Sequence, residues 1–318
     1  MATTFAFVFP GQGSQSVGML DAWGDHPAVR ETLAEASDAL GEDIGALIAS
    51  GPKEALALTT NTQPVMLVAG VAAWRAWRAE GGVLPAALAG HSLGEYAALV
   101  ASGVLTLGQA APLVRLRAAA MQEAVPVGAG AMAAILGLPA DKVIEGCRQA
   151  QESFGAGSPE VAEAVNFNDP AQTVIAGTKA GVDKACEVLK SLGAKRALPL
   201  PVSAPFHSSL MKPAAEKLRA ALAAIQLAAP TIPVVNNVDV AVRQDADAIR
   251  DALYRQAFGP VRWVECVQAL KTNFGVTHIV ECGPGKVLAG MVRRIDPGLV
   301  GASLYDPATL AETKELLA

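Results

Sequence analysis

Leu84-Pro85-Ala86-Ala87-Leu88-Ala89-Gly90-His91-Ser92-Leu93-Gly94-Glu95-Tyr96-Ala97-Ala98-Leu99-Val100 reads as a short apolar strand, a G-x-S-x-G turn and the start of a helix. A turn of this kind forces a serine hydroxyl out of the chain, where it can attack a carbonyl carbon. Gly90 and Gly94 supply room where a Cβ would clash. The five-residue motif alone also describes an ordinary glycine turn. The strand before it and the helix after it favour Ser92 as a nucleophile.

Outward from this stretch, short apolar strands alternate with alanine-rich helices. The pattern predicts a strand at 5–9, helices at 28–40 and 63–80, the strand leading into Ser92, and a helix at 106–124. Such alternation predicts an α/β fold, a large α/β-hydrolase-like domain with a mainly parallel sheet. From about residue 130 the rhythm changes to strand 132–136, helix 140–151, strand 161–167, a turn at Asn168-Asp169-Pro170, strand 172–176, helix 182–192 and strand 196–200. That order is β-α-β-β-α-β, a ferredoxin-like subdomain inserted in the larger one. The expected division is a large catalytic domain at 1–127 and 199–318 and a small one at 128–198. Hinges are expected at the Gly/Pro-rich stretches 126–130 and 199–205. Beyond them the reading gives one long helix at 208–225, strands at 231–235 and 277–280, and final helices after Glu281-Cys282-Gly283-Pro284-Gly285-Lys286. That last turn lacks the spacing of a phosphate-binding P-loop.

The 318 residues suffice for one large or two moderate domains. Hydrophobic residues make up 52%, much of it alanine, yet no apolar run reaches the roughly 20 residues that span a bilayer. The N-terminus has no basic stretch of the signal-peptide type and reads as a first buried strand. Four widely spaced cysteines form no C-x-x-C pair, so neither a disulfide framework nor a zinc site is expected, and a cytoplasmic setting is. A net charge of −5 argues against general nucleic-acid binding.

A serine nucleophile needs a base, and the chain has four histidines. His26 sits in an early loop and is expected to be exposed. His91 should leave the elbow in a different direction from Ser92. His278 lies in a strand pattern. His207 follows Pro205-Phe206 at a hinge and is the candidate base.

Six motifs then fall in register: Phe9-Pro10-Gly11-Gln12-Gly13-Ser14-Gln15, Gly90-His91-Ser92-Leu93-Gly94-Glu95, Arg117 with Met121, Asn166-Phe167-Asn168, Pro205-Phe206-His207-Ser208 and Gly283-Pro284-Gly285-Lys286. Over nearly the whole chain the sequence resembles the malonyl-CoA:acyl-carrier-protein transacylases, the stand-alone enzymes of bacterial type II fatty acid synthesis. The resemblance implies Ser92 as nucleophile and His207 as general base. It implies a neutral carbonyl, at the position of Gln256, in place of the usual orienting Asp. It places the oxyanion-binding N–H groups at Gln12 and Leu93. Arg117 would bind the malonyl carboxylate, with Met121 on the same helix face. Phe206 would crowd the acyl α-carbon, and Asn166 and Gln63 would line the cleft. Arg115, two residues from Arg117, reads as a solvated surface charge.

The implied partners are malonyl-CoA and an acidic acyl carrier protein, met by a monomer through cations such as Lys195, Arg196, Lys286, Arg293 and Arg294. No cofactor is implied, coenzyme A thioester being a substrate; no metal, nucleic acid or membrane is expected. Three other readings share the elbow, one of which keeps the chemistry and changes the pathway: a transferase serving polyketide assembly or a malonate-processing complex. An α/β-hydrolase esterase would need a late histidine, for which only His278 is available, and would leave Arg117 unexplained. A non-catalytic malonyl- or carrier-binding protein would have no use for Ser92 and His207.

Overall fold

The computed structural model describes residues 3–202 and 204–318; Met1, Ala2 and Ser203, the last within the expected hinge at 199–205, lie outside the described residues. In chain order the strands are β1 (Phe5–Phe9), β2 (Ala87–Gly90), β3 (Gly130–Leu136), β4 (Ala162–Asp169), β5 (Gln172–Thr178), β6 (Arg196–Pro199), β7 (Val234–Val235), β8 (His278–Cys282) and β9 (Val300–Leu304). A five-stranded sheet runs in the order β7-β2-β1-β8-β9, parallel throughout. A second sheet, β4-β5-β3-β6, is antiparallel throughout. The fold is thus α/β, with the β-α-β-β-α-β unit inserted between β2 and β7.

β1 is buried at every position, as a central parallel strand covered on both faces must be. Its alternation feeds two cores. Phe5, Phe7 and Phe9 pack into the core of helix Thr59–Ala79, where Trp77 meets the Phe5 and Phe7 rings edge-on and Trp74 meets that of Phe7. Ala6 and Val8 belong to the opposite core, with Trp263 and Leu270 of helix Trp263–Phe274. Aromatic pairs of this geometry add about 0.5–1.5 kcal/mol beyond area burial.

The small sheet has helices Ala140–Ser153 and Lys179–Ser191 over one face. Its other face presents Met132, Ala134, Val165, Val174 and Ala176 to Leu200, Val202 and Phe206. Two backbone hydrogen bonds join β4 to Val261 of the larger domain: Phe167 N–H donates to Val261 O at 2.9 Å, and Val261 N–H to Val165 O at 2.8 Å. β4 therefore stands directly over the carboxyl ends of β1 and β2.

Several expected bounds shift, each for a local reason. The strand before the elbow begins at Ala87, because Pro85 has no N–H to offer a ladder, and Leu84 is exposed. The expected helix 208–225 is a 3₁₀ turn, Ser209–Met211, followed by helix Lys212–Ala223. Pro213 falls in the first turn of that helix, where its missing N–H breaks no helical hydrogen bond. The strand expected at 231–235 shortens to Val234–Val235 behind Pro233. β4 runs through Asp169, with two register irregularities. β9 was not expected: it is a half-exposed edge strand without clear alternation.

At the elbow the glycines are obligatory. A Cβ on Gly94 would lie 2.0 Å from Phe9 O, and one on Gly90 2.0 Å from Gly94 backbone atoms. Gly94→Ala is expected to destabilise by about 3 kcal/mol or more. Gly290→Ala, exposed in helix Val287–Ile295 with nothing within 4 Å of the added carbon, should stabilise by about 0.5–1 kcal/mol. Denaturant midpoints of the two variants check this; an unchanged midpoint for Gly94→Ala would contradict the clash.

Candidate active site

Between β2 and helix Gly94–Ala101, Ser92 takes a left-handed backbone conformation, φ 52°. Such a conformation is strained for a residue with a Cβ and persists only where its surroundings enforce it. Here the enforcement is a closed set of hydrogen bonds. His91 N–H donates to Phe9 O at 2.9 Å, tying the turn to the end of β1. Ser92 N–H donates to Asn237 Oδ1 at 2.7 Å, and Asn237 Nδ2 donates back to Gly90 O at 2.7 Å. Asn237 N–H in turn donates to Glu95 Oε2 at 2.9 Å.

His207, also left-handed at φ 65°, reaches the serine from the start of the 3₁₀ turn. Its Nδ1 faces two backbone carbonyls, Gln256 O at 2.9 Å and Gly259 O at 3.2 Å. Two acceptors there place the ring proton on Nδ1 and leave Nε2 bare. Ser92 Oγ–H then donates to Nε2 at 2.7 Å. Burial, then Arg117, lower the imidazole pKa to about 3, so His207 is neutral at ordinary pH. The orienting group at Gln256 is its main-chain carbonyl. Its side chain has other work: Nε2 donates to Ser92 O at 2.9 Å and to Glu95 Oε2 at 3.0 Å, while Oε1 accepts from Arg117.

Arg117 lies on helix Leu107–Glu123 and is 2% exposed. Its Nη1 donates to Gln63 Oε1 at 2.5 Å, and Nη2 to Gln256 Oε1 at 3.1 Å and Ser92 Oγ at 3.2 Å. The guanidinium carbon sits 5.5 Å from the Tyr96 ring centroid, and Nε has no partner among the described residues. None of its hydrogen-bond acceptors is a carboxylate. A buried cation supported only by neutral oxygens is costly unless an anion completes it. Met121, one turn on, accepts a long contact from Gln63 Nε2 at 3.9 Å.

The cavity over Ser92 has a volume of about 130 Å³. Gln12, Gln63, Leu93, Arg117, Asn166 and Phe206 line it together with the serine and the histidine. Ser92 N–H is consumed by Asn237, whereas the N–H groups of Gln12 and Leu93 have no protein acceptor among the described residues. The Asn166 side-chain oxygen is buried and equally unpartnered. Every site residue named from the sequence except Met121 and Gln256 borders the cavity directly, and those two touch residues that do.

Asn237 and the inward role of Glu95 were not legible in the sequence. An asparagine in Val235-Asn236-Asn237-Val238 has the look of any turn, and no spacing rule links it to residue 92. His91 Nε2 pairs with Asn168 Oδ1 at 2.8 Å, with its ring edge-on to Trp263. His26, expected to be exposed, is largely buried beside Trp23. Arg115 pairs with Glu42 and donates to Asn61. Among the cations considered for docking, Arg294 is engaged by Asp169 at 2.8 Å and Lys286 lies over the Tyr305 ring.

Residues 6–295 match the family model described as acyl transferase domain. A malonyl CoA-acyl carrier protein transacylase of Salmonella typhimurium is 53% identical over 97% of this chain and 98% of its own. One from Bacillus subtilis is 43% identical over 96% and 94%. The crystal structure of an acyl-carrier-protein S-malonyltransferase from Burkholderia pseudomallei superposes with a TM-score of 0.95 at 65% identity, covering 98% of this chain and 100% of that one. A malonyl-transacylase solved in complex with a type II PKS acyl-carrier protein gives 0.94 at 49% identity, covering 99% and 100%. With a serine–histidine pair at the elbow and matches of this extent, the chain belongs to the malonyl-CoA:acyl-carrier-protein transacylase family of acyltransferases.

Proposed function

We propose that this protein moves a malonyl group from malonyl-CoA to the phosphopantetheine thiol of acyl carrier protein, in two half-reactions through a malonyl-Ser92 ester, supplying fatty acid elongation. The observation that carries the reading is the buried guanidinium of Arg117, 3.2 Å from Ser92 Oγ and without an anionic partner of its own among its hydrogen bonds. A carboxylate held there sets the thioester carbonyl beside the nucleophile.

In the first half-reaction Ser92 Oγ attacks the thioester carbon while His207 Nε2 takes its proton. The Gln12 and Leu93 N–H groups receive the oxyanion; one such donor is typically worth about 3 kcal/mol. Collapse breaks the C–S bond, and the imidazolium returns its proton to the departing coenzyme A sulfur. In the second, the carrier's thiol gives its proton to His207 and its sulfur attacks the ester, releasing Ser92 Oγ, which takes the proton back. A thiolate leaves far more readily than an amine, so a base oriented by main-chain carbonyls suffices. Phe206 beside the base crowds a branch at the α-carbon and favours unbranched malonyl. The reaction so written uses no metal or redox cofactor.

Intact-protein mass spectrometry after mixing with malonyl-CoA is expected to give a malonyl adduct that Ser92→Ala lacks. Arg117→Ala should slow malonyl transfer to Ser92 roughly 10²–10³-fold, the cost of removing one partner of a buried charge pair, with acetyl transfer much less affected. No adduct with any thioester on the folded protein would refute the reading.

The depressed pKa of His207 has a definite sign. A base with pKa about 3 stays neutral on going down from pH 8 to 5, so the acylation rate should show no falling limb near the ordinary histidine value of 6.5. Stopped-flow acylation of the parent and of Glu95→Gln across that range tests it; a limb near 6.5 in both would mean an imidazole of ordinary basicity.

For the carrier, the exposed Arg196 and Arg293 are the docking cations to test. Reversing a true docking charge should raise KM for the acidic carrier and leave coenzyme A-dependent acylation intact. Equal effects on both halves would remove that residue from the docking surface.

A further inference from the structure

We propose that Glu95 is a positioning residue for acyl selection: it holds the side-chain amide of Gln256 in the one orientation that presents oxygen, not nitrogen, to Arg117. The inference rests on the malonyl-transfer reading and deepens it.

A glutamine amide has two orientations of nearly equal shape, related by a half-turn that exchanges Oε1 and Nε2. Gln256 is completely buried, so its neighbours decide between them. On one side lies Arg117, which only donates; Nη2 is 3.1 Å from Oε1. On the other lie two acceptors, Ser92 O at 2.9 Å and Glu95 Oε2 at 3.0 Å from Nε2. The reverse orientation would set an NH₂ group against the guanidinium and an oxygen against both acceptors. Each contact would become a like-with-like clash in a buried site, where an unmet polar group is costly.

Glu95 Oε2 is itself placed by the Asn237 N–H at 2.9 Å, so the chain Asn237–Glu95–Gln256–Arg117 connects the elbow to the acyl-binding cation. The lock does not require a charge on Glu95. Burial raises its pKa to about 7. Since Oε2 already accepts twice, a proton goes to the other oxygen and the acceptor survives. Arg117 is thereby oriented by the neutral Gln256 oxygen and not by direct contact with a carboxylate, and its attraction for a substrate carboxylate is kept.

The test is kcat/KM for acylation of Ser92 by malonyl-CoA and by acetyl-CoA, with thermal midpoints alongside. Glu95→Met keeps the length of the side chain and removes both oxygens. The malonyl-to-acetyl ratio is expected to fall by about 10-fold or more, the scale of one charge-assisted hydrogen bond. Gln256→Met should lower it equally, and the double variant no further. Glu95→Gln, which retains an acceptor oxygen, should hold the ratio within about 3-fold of the parent even where its midpoint drops.

A parental ratio in Glu95→Met would overturn the proposal, as would a Glu95→Gln ratio as low as that of Glu95→Met. If Glu95→Met does not fold, Gln256→Met decides, and a parental ratio there is equally fatal. A parent protein that takes no malonyl group at all would bring down the transfer reading itself, and this proposal with it.

Discussion

Everything at the site depends on one strained residue. Ser92 is held with φ 52°, in a region that costs a residue with a Cβ of order 1–3 kcal/mol. Asn237 is what prevents relaxation, since its amide accepts from the serine N–H and donates to the carbonyl two residues earlier. The glycines at 90 and 94 let the end of β1 and the elbow come within backbone contact. Because Ser92 N–H is spent on Asn237, the next amide, Leu93, is left free toward the cavity. A single interaction thus pins the Ser92 backbone, and the Leu93 N–H beside it has no protein acceptor among the described residues.

Electrostatics follow from burial. Arg117, Glu95 and His207 are enclosed together, and each is displaced from its solution behaviour chiefly by loss of water. Desolvation and the nearby guanidinium keep the imidazole neutral, as a base must be. Desolvation raises the Glu95 carboxyl to about 7, which reduces its ability to cancel the arginine. The result is a buried guanidinium with no carboxylate among its hydrogen-bond acceptors beside a neutral imidazole. The small subdomain completes it, with β4 and β5 supplying Asn166 and Val174 and the apolar face of the sheet supplying Met132.

The α/β class and the inserted β-α-β-β-α-β unit were readable because strands buried on both faces must be continuously apolar, and 5–9 and 132–136 are. Failures clustered where that signal is absent. β9 is a half-exposed edge, and the short β7 is preceded by Pro230 and Pro233, which have no N–H to offer a ladder. At 208–225 helical periodicity persists through a segment that is divided, after Met211, into a 3₁₀ turn and a helix.

The amino-acid order by itself determined the elbow, since a serine between two glycines at a strand-to-helix junction has few other uses. It also determined the chemical types available: a histidine after Pro205-Phe206, two arginines on opposite faces of one helix, one glycine-flanked glutamine after β1. Only the tertiary structure decided that Gln256 orients His207 through its main-chain carbonyl while its side chain serves Arg117. Only it could show Asn237, 145 positions away, pinning Ser92. Those relations are set by hydrogen-bond directions across packed elements, and residue types and spacings along a chain do not encode direction.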